Sequence, residues 1–181
     1  FEGALPTLKK REAEGYSIGV FPEGTRSTQP KLSRFKKGAF LLAEELKLDI
    51  VPIILHGTHH VMNKGDDFLL KDGKLTIRIL PRIKFDDASF GTGYRERAKS
   101  ISKHFKAEYK KTRGEIETPS YFKGYLKKAY TYRGEDVLKT INNRLRNHLG
   151  RFEELNLELS RDGKILVVNC GYGDLCYLLA K

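Results

Sequence analysis

The stretch "VFPEGTRSTQP" (Val20–Pro30) places a carboxylate, a glycine, a hydroxyl and a guanidinium in a row immediately after an apolar run. The preceding residues, Tyr16–Phe21, are mostly apolar and β-forming, and Pro22 has no N–H with which to continue a ladder, so we predict a strand that ends there. Gly15 predicts the end of a short helix over Leu5–Glu14. The polar residues are therefore expected on a loop at the end of a core strand.

This loop has residue types that suit the binding of a phosphate group. Arg26 supplies a planar guanidinium, Gly24 allows close approach of the backbone, and Thr25 adds a hydroxyl. Glu23 is suited to holding the arginine in position or to accepting a hydrogen bond from a substrate hydroxyl. A charged surface turn is the alternative that the residue types alone leave open.

The segments that follow the loop continue an alternation of strands and helices. Apolar residues recur at helical spacing in Ala39–Leu46, and Ile50–Leu55 is a short β-branched run typical of a core strand. Leu75–Leu80 alternates apolar and polar residues as a half-buried strand does. Strands separated by helices predict an α/β fold with a mostly parallel sheet flanked by helices. Ligands of such sheets gather at loops beyond the strand ends, where Val20–Ser27 is expected.

Three motifs resemble those of the glycerolipid acyltransferase family, which includes lysophosphatidic acid and glycerol-3-phosphate acyltransferases. "FPEGTRS" (Phe21–Ser27) matches the third motif of that family residue for residue. "VPI" (Val51–Ile53) stands where the fourth motif is expected, after the basic stretch "RFKKGA" (Arg34–Ala39). The resemblance covers roughly residues 1–87.

The resemblance implies transfer of an acyl chain from coenzyme A or acyl carrier protein to a hydroxyl of a phosphorylated glycerolipid acceptor, with no cofactor besides the acyl thioester. On the matching positions it implies four residues around the acceptor phosphate and two that shape the pocket. These substrate-binding residues are Glu23, Gly24, Thr25, Arg26, Val51 and Pro52.

The family also has an HxxxxD motif, in which the histidine acts as base and the aspartate orients it. No histidine in this chain has an aspartate five positions on, so no catalytic residue is assigned. Because the first residue is Phe1 rather than Met, we expect that the motif lies upstream and that this chain is an inactive fragment by itself.

A basic segment follows the acyltransferase-like part. From Arg95 to Arg151 the chain has 16 Lys and Arg against 6 Asp and Glu, which accounts for +10 of the net charge of +11. Amphipathic helical stripes flank the aromatic stretch Tyr121–Arg133 and predict a helical connector. This stretch suits an anionic membrane surface, or else packs its aromatic residues inward between domains. The positive charge is also compatible with a solvated helical face or with a nucleic-acid contact. Because of the acyltransferase resemblance, we do not expect nucleic acid as a partner.

The lengths of the apolar runs and the spacing of the cysteines bear on where in the cell the protein is expected. No apolar run approaches the roughly 20 residues of a membrane-spanning helix. Cys170 and Cys176, like His59 and His60, lack partners at ligand spacing, which predicts a reducing compartment and no metal site. Together with the acyltransferase and methyltransferase-like resemblances, which imply a bacterial lipid enzyme, this gives the expectation of a protein bound peripherally to the cytoplasmic face of the inner membrane.

The C-terminal segment predicts the beginning of a second α/β domain. "ILVVNCGYGDL" (Ile165–Leu175) resembles the first motif of class I methyltransferases, where a strand ends in a glycine-rich turn close to S-adenosylmethionine. Gly171 and Gly173 match the last two glycines, whereas Val167 and Asn169 replace the usual acid and first glycine. The resemblance implies S-adenosylmethionine as a cofactor bound at these two glycines.

These expectations divide the chain into an acyltransferase half (residues 1–93), a basic helical connector (94–160) and the edge of a methyltransferase-like domain (161–181). The expected activity is phospholipid acyl transfer by the intact protein. Two alternatives stay open at this point. They are S-adenosylmethionine-dependent methylation as the main activity of a fusion protein, and a non-catalytic basic module that binds anions.

Overall fold

The computed structural model describes residue 3 and residues 5–27, 31–62, 65, 73–160 and 163–179. In chain order its elements are α1 (Leu5–Ala13), α2 (Gly38–Glu45), β1 (Ile53–His56), α3 (Thr58–Val61), β2 (Thr76–Ile79), α4 (Tyr94–Ile116), α5 (Pro119–Tyr130), α6 (Glu135–Glu158) and α7 (Asp174–Leu179). Contacts group the chain into two compact units, residues 1–110 and 111–181. The predicted domain boundaries at residues 93 and 160 stay predictions.

The sheet in the first unit is small and antiparallel. β1 pairs with β2 so that Ile53 lies opposite Ile79, and a bridge between Ile50 and Ile83 extends the pairing. The described residues thus form a helix-rich α/β unit without the mostly parallel sheet that the sequence predicted. The physical reason lies in the connection between β1 and β2. Its described part contains only the four-residue α3 and thus no helix that packs over the sheet, which is the element that usually joins parallel strands.

Two segments predicted as strands do not form strands. Tyr16–Phe21 and Ile165–Val168 run without a ladder partner among the described residues. Most of their apolar side chains are exposed to solvent, with Phe21 77% and Leu166 87% exposed. A β-forming composition yields a strand only where a neighbouring strand accepts and donates the backbone hydrogen bonds.

The strand predicted over Leu75–Leu80 is present as β2, but the apolar face that the alternation predicted as buried is the exposed one. Ile77 and Ile79 face outward, and Ile79 is 68% exposed. The opposite face of the pair is buried through Ile54 and His56. A two-stranded sheet covered on one side leaves its second apolar face in water.

The core of residues 1–110 lies where α2 and the Ile50–Ile83 bridge meet the N-terminal half of α4. Its buried members are Phe35, Phe40, Ile83, Ala98 and Ile101. The apolar stripe predicted on α4 is confirmed by this burial. At the other end of the unit, Gly15 (φ 87°) ends α1 as predicted, and the Tyr16 N–H donates to the Arg11 carbonyl over 3.0 Å.

The core of residues 111–181 joins α5, α6 and α7. Its buried members are Leu126, Tyr130, Ile141, Leu145, Phe152 and Leu178. α5 begins because Thr118 accepts a hydrogen bond from the Tyr121 N–H and Pro119 occupies the first turn. The predicted stripe of α6 is confirmed by Ile141 and Leu145. No helix within the described ranges is long and apolar enough to cross a bilayer.

Candidate functional site

The loop that carries the candidate phosphate-binding residues folds back on itself. The Gly24 N–H donates to the Phe21 carbonyl over 3.0 Å, which closes a turn in which Gly24 has a left-handed φ of 73°. That conformation strains any residue with a Cβ, so a glycine is required here. Thr25 and Arg26, directly after the turn, are exposed.

A second segment, residues 33–36, holds this turn in place. The Ser33 N–H donates to Glu23 Oε2 over 2.6 Å, and the Lys36 N–H donates to the Pro22 carbonyl over 2.7 Å. The Glu23 carboxylate therefore joins the turn to residues 33–36. The sequence assigned Glu23 to the substrate or to Arg26, and this positioning role was not foreseen.

Lys36 brings a second cation to the turn. A Cβ placed on Gly24 would lie 2.8 Å from Lys36 Nζ, so the ammonium group lies against the glycine backbone. Sequence reasoning missed Lys36 as a site residue. The signal was present, because Lys36 belongs to the "RFKKGA" stretch that accompanies the motif, but a basic run by itself does not tell which of its members turns inward.

Val51 and Pro52 lie on the segment that leads into β1. The Pro52 carbonyl accepts from the Leu80 N–H over 2.9 Å, which fixes the segment against the residues after β2. Pro52 is buried and Val51 is exposed. Ile50, next to Val51, packs on the same core as Phe35, so this core ties Val51–Pro52 to residues 33–36 and through them to the Gly24 turn.

Asp49 anchors the same segment electrostatically. Its carboxylate accepts from the Phe85 N–H over 2.9 Å and lies 3.0 Å from Lys84 Nζ. The backbone hydrogen bond first, and then Lys84, lower the pKa of Asp49 below its ordinary value. The ionised form therefore helps to hold the entrance to β1 in place.

The substitution Asp49→Asn is expected to destabilise the fold at neutral pH and to lose this effect in acid. A carboxylate whose pKa is lowered in the fold stabilises it above the unfolded pKa of about 3.9 and stops doing so as pH falls through the folded pKa. Urea unfolding followed from about pH 7 to about pH 2 should show the two midpoints converging. Asp86→Asn, at an exposed carboxylate nearby, is the control. If the urea midpoints of Asp49→Asn and of the original chain differed by the same amount at all pH values, the ionised Asp49 carboxylate would not be the group that stabilises the fold.

The glycine turn in the second unit has the backbone of a glycine-rich motif. Asn169, Gly171 and Gly173 have φ of 55°, 57° and 79°, and the Gly173 N–H donates to the Cys170 carbonyl over 2.9 Å. Asparagine tolerates the left-handed region better than most residues, which explains how Asn169 replaces the first glycine of the motif. α7 begins directly after the turn.

Side chains from α5 and α6 pack around this turn. The Tyr130 hydroxyl donates to the Tyr172 carbonyl. Arg144 Nε lies 3.0 Å from Oδ2 of the buried Asp174, an ion pair without hydrogen-bond geometry. A Cβ on Gly171 would lie 3.1 Å from the Arg144 guanidinium. The backbone of the turn thus has the conformation of a cofactor-binding loop. Its side chains differ from the motif, because the Arg144 guanidinium lies next to Gly171 and Val167 stands where the motif has an acidic residue.

The N-terminal part of the chain is similar to known acyltransferases. The acyltransferase family model matches residues 2–56. A 1-acyl-sn-glycerol-3-phosphate acyltransferase of Chlamydomonas reinhardtii is 46% identical over 65 residues, which are 36% of this chain and 20% of that protein. The enzyme of the same name from Limnanthes douglasii is 46% identical over 71 residues, 39% of this chain and 25% of its own.

A chloroplastic 1-acyl-sn-glycerol-3-phosphate acyltransferase of Arabidopsis thaliana is 42% identical over 75 residues, 41% of this chain and 20% of its own length. The matched part thus spans about a fifth to a quarter of these curated relatives. No solved structure matches the chain significantly. The matches support a relationship between the N-terminal part of this chain and the glycerolipid acyltransferase family.

Proposed function

We propose that the intact protein containing this chain transfers a fatty acyl group from acyl-coenzyme A or acyl carrier protein to a hydroxyl of a phosphorylated glycerolipid. In that reaction the hydroxyl oxygen attacks the thioester carbonyl carbon, a C–O bond forms and the C–S bond breaks. The hydroxyl proton passes through a base to the departing thiolate. No histidine–aspartate pair at HxxxxD spacing is present here, so the 181-residue chain alone should be inactive.

One observation carries this proposal. Arg26 is exposed directly after the turn at Gly24, the ammonium group of Lys36 lies against that turn, and hydrogen bonds of Glu23 and Pro22 join the turn to residues 33–36. Two cations beside one ordered turn suit a phosphate group, because a guanidinium offers paired donors and an ammonium adds a point charge. The names of the relatives, which act on acylglycerol phosphates, favour the same chemistry.

The acceptor in this proposal is an amphiphile that resides in a bilayer. We therefore propose that the protein works peripherally at an anionic membrane surface. The inner membrane of a bacterium, on its cytoplasmic face, is the surface that we expect.

The test compares acceptors with and without the phosphate. With intact protein and lysophosphatidate as acceptor, the acyl thioester should be consumed and free thiol released. With monoacylglycerol as acceptor, kcat/KM should be about 100-fold lower than with lysophosphatidate, the order expected when hydrogen bonds to a charged group are lost. The 181-residue chain should release none with either acceptor. Equal rates with the two acceptors, or no thiol release by the intact protein, would contradict the proposal.

S-adenosylmethionine at Gly171 and Gly173 is a second candidate ligand. The left-handed φ of Asn169 and of both glycines favours it, because such a turn presents backbone N–H groups to a ligand. Isothermal titration of the chain with S-adenosylmethionine tests it directly. The absence of any heat of binding would remove this candidate.

A further inference from the structure

The aromatic stretch of α5 faces the protein rather than a membrane. Leu126 and Tyr130 are buried in the core of the second unit, and Phe122 packs against them. Of the two roles open to Tyr121–Arg133, the structure thus favours inward packing for these side chains. Tyr132, just after α5, is 95% exposed, so inward packing holds for α5 and not for the whole stretch.

α4 has a continuous basic face, here called the α4 basic face, made of Arg95, Lys99, Lys103, Lys106 and Lys110. At about 100° of rotation per residue, these side chains fall within an arc of about 80°. Between Arg95 and Lys110, every position within that arc is Lys or Arg. All five residues are exposed, and they extend over roughly 22 Å of helix.

The middle of this face, from Lys99 to Lys106, is not neutralised by acidic partners among the described residues. Within the described residues, Lys99, Lys103 and Lys106 take part in no ion pair. Glu96, at the edge of the arc, accepts instead from the Thr92 N–H. Neighbouring cations lie closer together than a Debye length of about 8–10 Å and repel one another, so an anionic surface that meets the whole row is attracted to it.

We propose that the α4 basic face docks the protein onto the anionic lipids of a bilayer, an inference that rests on the proposed function. The opposite side of α4 is fixed in the core by Ala98 and Ile101, so the row is presented as a rigid line. A single-stranded nucleic acid would favour aromatic side chains among the cations, and base recognition would favour amides. The arc contains neither, whereas a lipid surface needs only the charges.

The test measures sedimentation of the 181-residue chain with phosphatidylcholine vesicles that contain about 30% phosphatidylserine. We expect binding that vanishes on pure phosphatidylcholine vesicles. The double variant Lys99→Gln/Lys106→Gln should weaken binding by about 30-fold, because each lysine near such a surface contributes a factor of about five. The matched control, Lys139→Gln/Arg146→Gln on α6, removes the same charge. It should stay within about threefold of the original chain.

Three results would overturn the docking proposal. They are no binding to the anionic vesicles, equal losses in the two double variants, and tighter binding to a single-stranded oligonucleotide at the same ionic strength. Because sedimentation needs no acyl donor, it is independent of turnover. Vesicle binding by the chain together with no acyl transfer by the intact protein would count against the proposed function alone. Transfer by the intact protein to detergent-dispersed acceptor without vesicle binding would count against docking alone.

Discussion

Replacing Arg144 with methionine is expected to lower the free energy of unfolding of the second unit by about 3 kcal/mol. The Asp174 side chain is 0% exposed, and Arg144 is the cation 3.0 Å from its carboxylate. Methionine keeps much of the length and helix propensity of arginine, so the main change is a buried charge left without its partner. Hydrogen exchange of the α6 amide groups reports on this unit separately from the rest of the chain.

The reverse substitution should be milder. Asp174→Asn leaves Arg144, whose side chain is 37% exposed, with access to water, so we expect a loss of only about 1 kcal/mol. In the double variant Arg144→Met/Asp174→Asn no charge is buried, and part of the loss in Arg144→Met should be recovered. Equal losses in the two single variants, or strict additivity in the double one, would show that the ion pair does not hold the turn to α6.

The ion pair also explains why the glycine turn could be predicted only in part. The sequence identified Gly171 and Gly173, and both have the left-handed backbone that the motif needs. Arg144 lies in the next-to-last helix, and no periodicity marks it as the residue that approaches Gly171. Contacts between residues far apart in sequence depend on how the helices pack, and a spacing rule does not contain that information.

Helices were more predictable than strands for a related reason. The stripes of α4 and α6 followed from local spacing, because a helix satisfies its backbone hydrogen bonds within one segment. Tyr16–Phe21 and Ile165–Val168 have strand-like composition, yet a strand depends on a partner elsewhere in the chain. β1 and β2 pair with each other, but their antiparallel direction could not be derived from the residues of either strand.

At the Gly24 turn, the sequence predicted the motif residues but not the contacts that hold the turn in place. Gly24, Thr25 and Arg26 are residue types that suit a phosphate group, and the resemblance to the acyltransferase motif, rather than residue chemistry alone, identified them as candidates. The hydrogen bond from Ser33 to Glu23 and the approach of Lys36 join positions about ten residues apart through an irregular loop. Such contacts arise from tertiary packing, which overrides any local propensity.

Arg26→Ala in the intact protein is expected to raise the KM for the phosphorylated acceptor by about 100-fold, while the KM for the thioester stays within about threefold. Hydrogen bonds to a charged group contribute about 1.5–3 kcal/mol, and the guanidinium is the group best placed to make them. Arg26→Lys should recover part of the loss, because it restores the charge but not the paired donors. Initial rates with each substrate varied in turn give the two constants.

Two matched variants separate the site from general charge. Arg34→Ala removes the same charge from the exposed connection that leads to Lys36, and it should leave both KM values near their original levels. Lys36→Gln should raise the KM of the acceptor, whereas Lys37→Gln should not, since the ammonium group found against Gly24 is that of Lys36. If Arg26→Ala raised both KM values equally, or if Lys37→Gln matched Lys36→Gln, the two cations would not form a phosphate site. The acceptor would then be bound elsewhere in the intact protein.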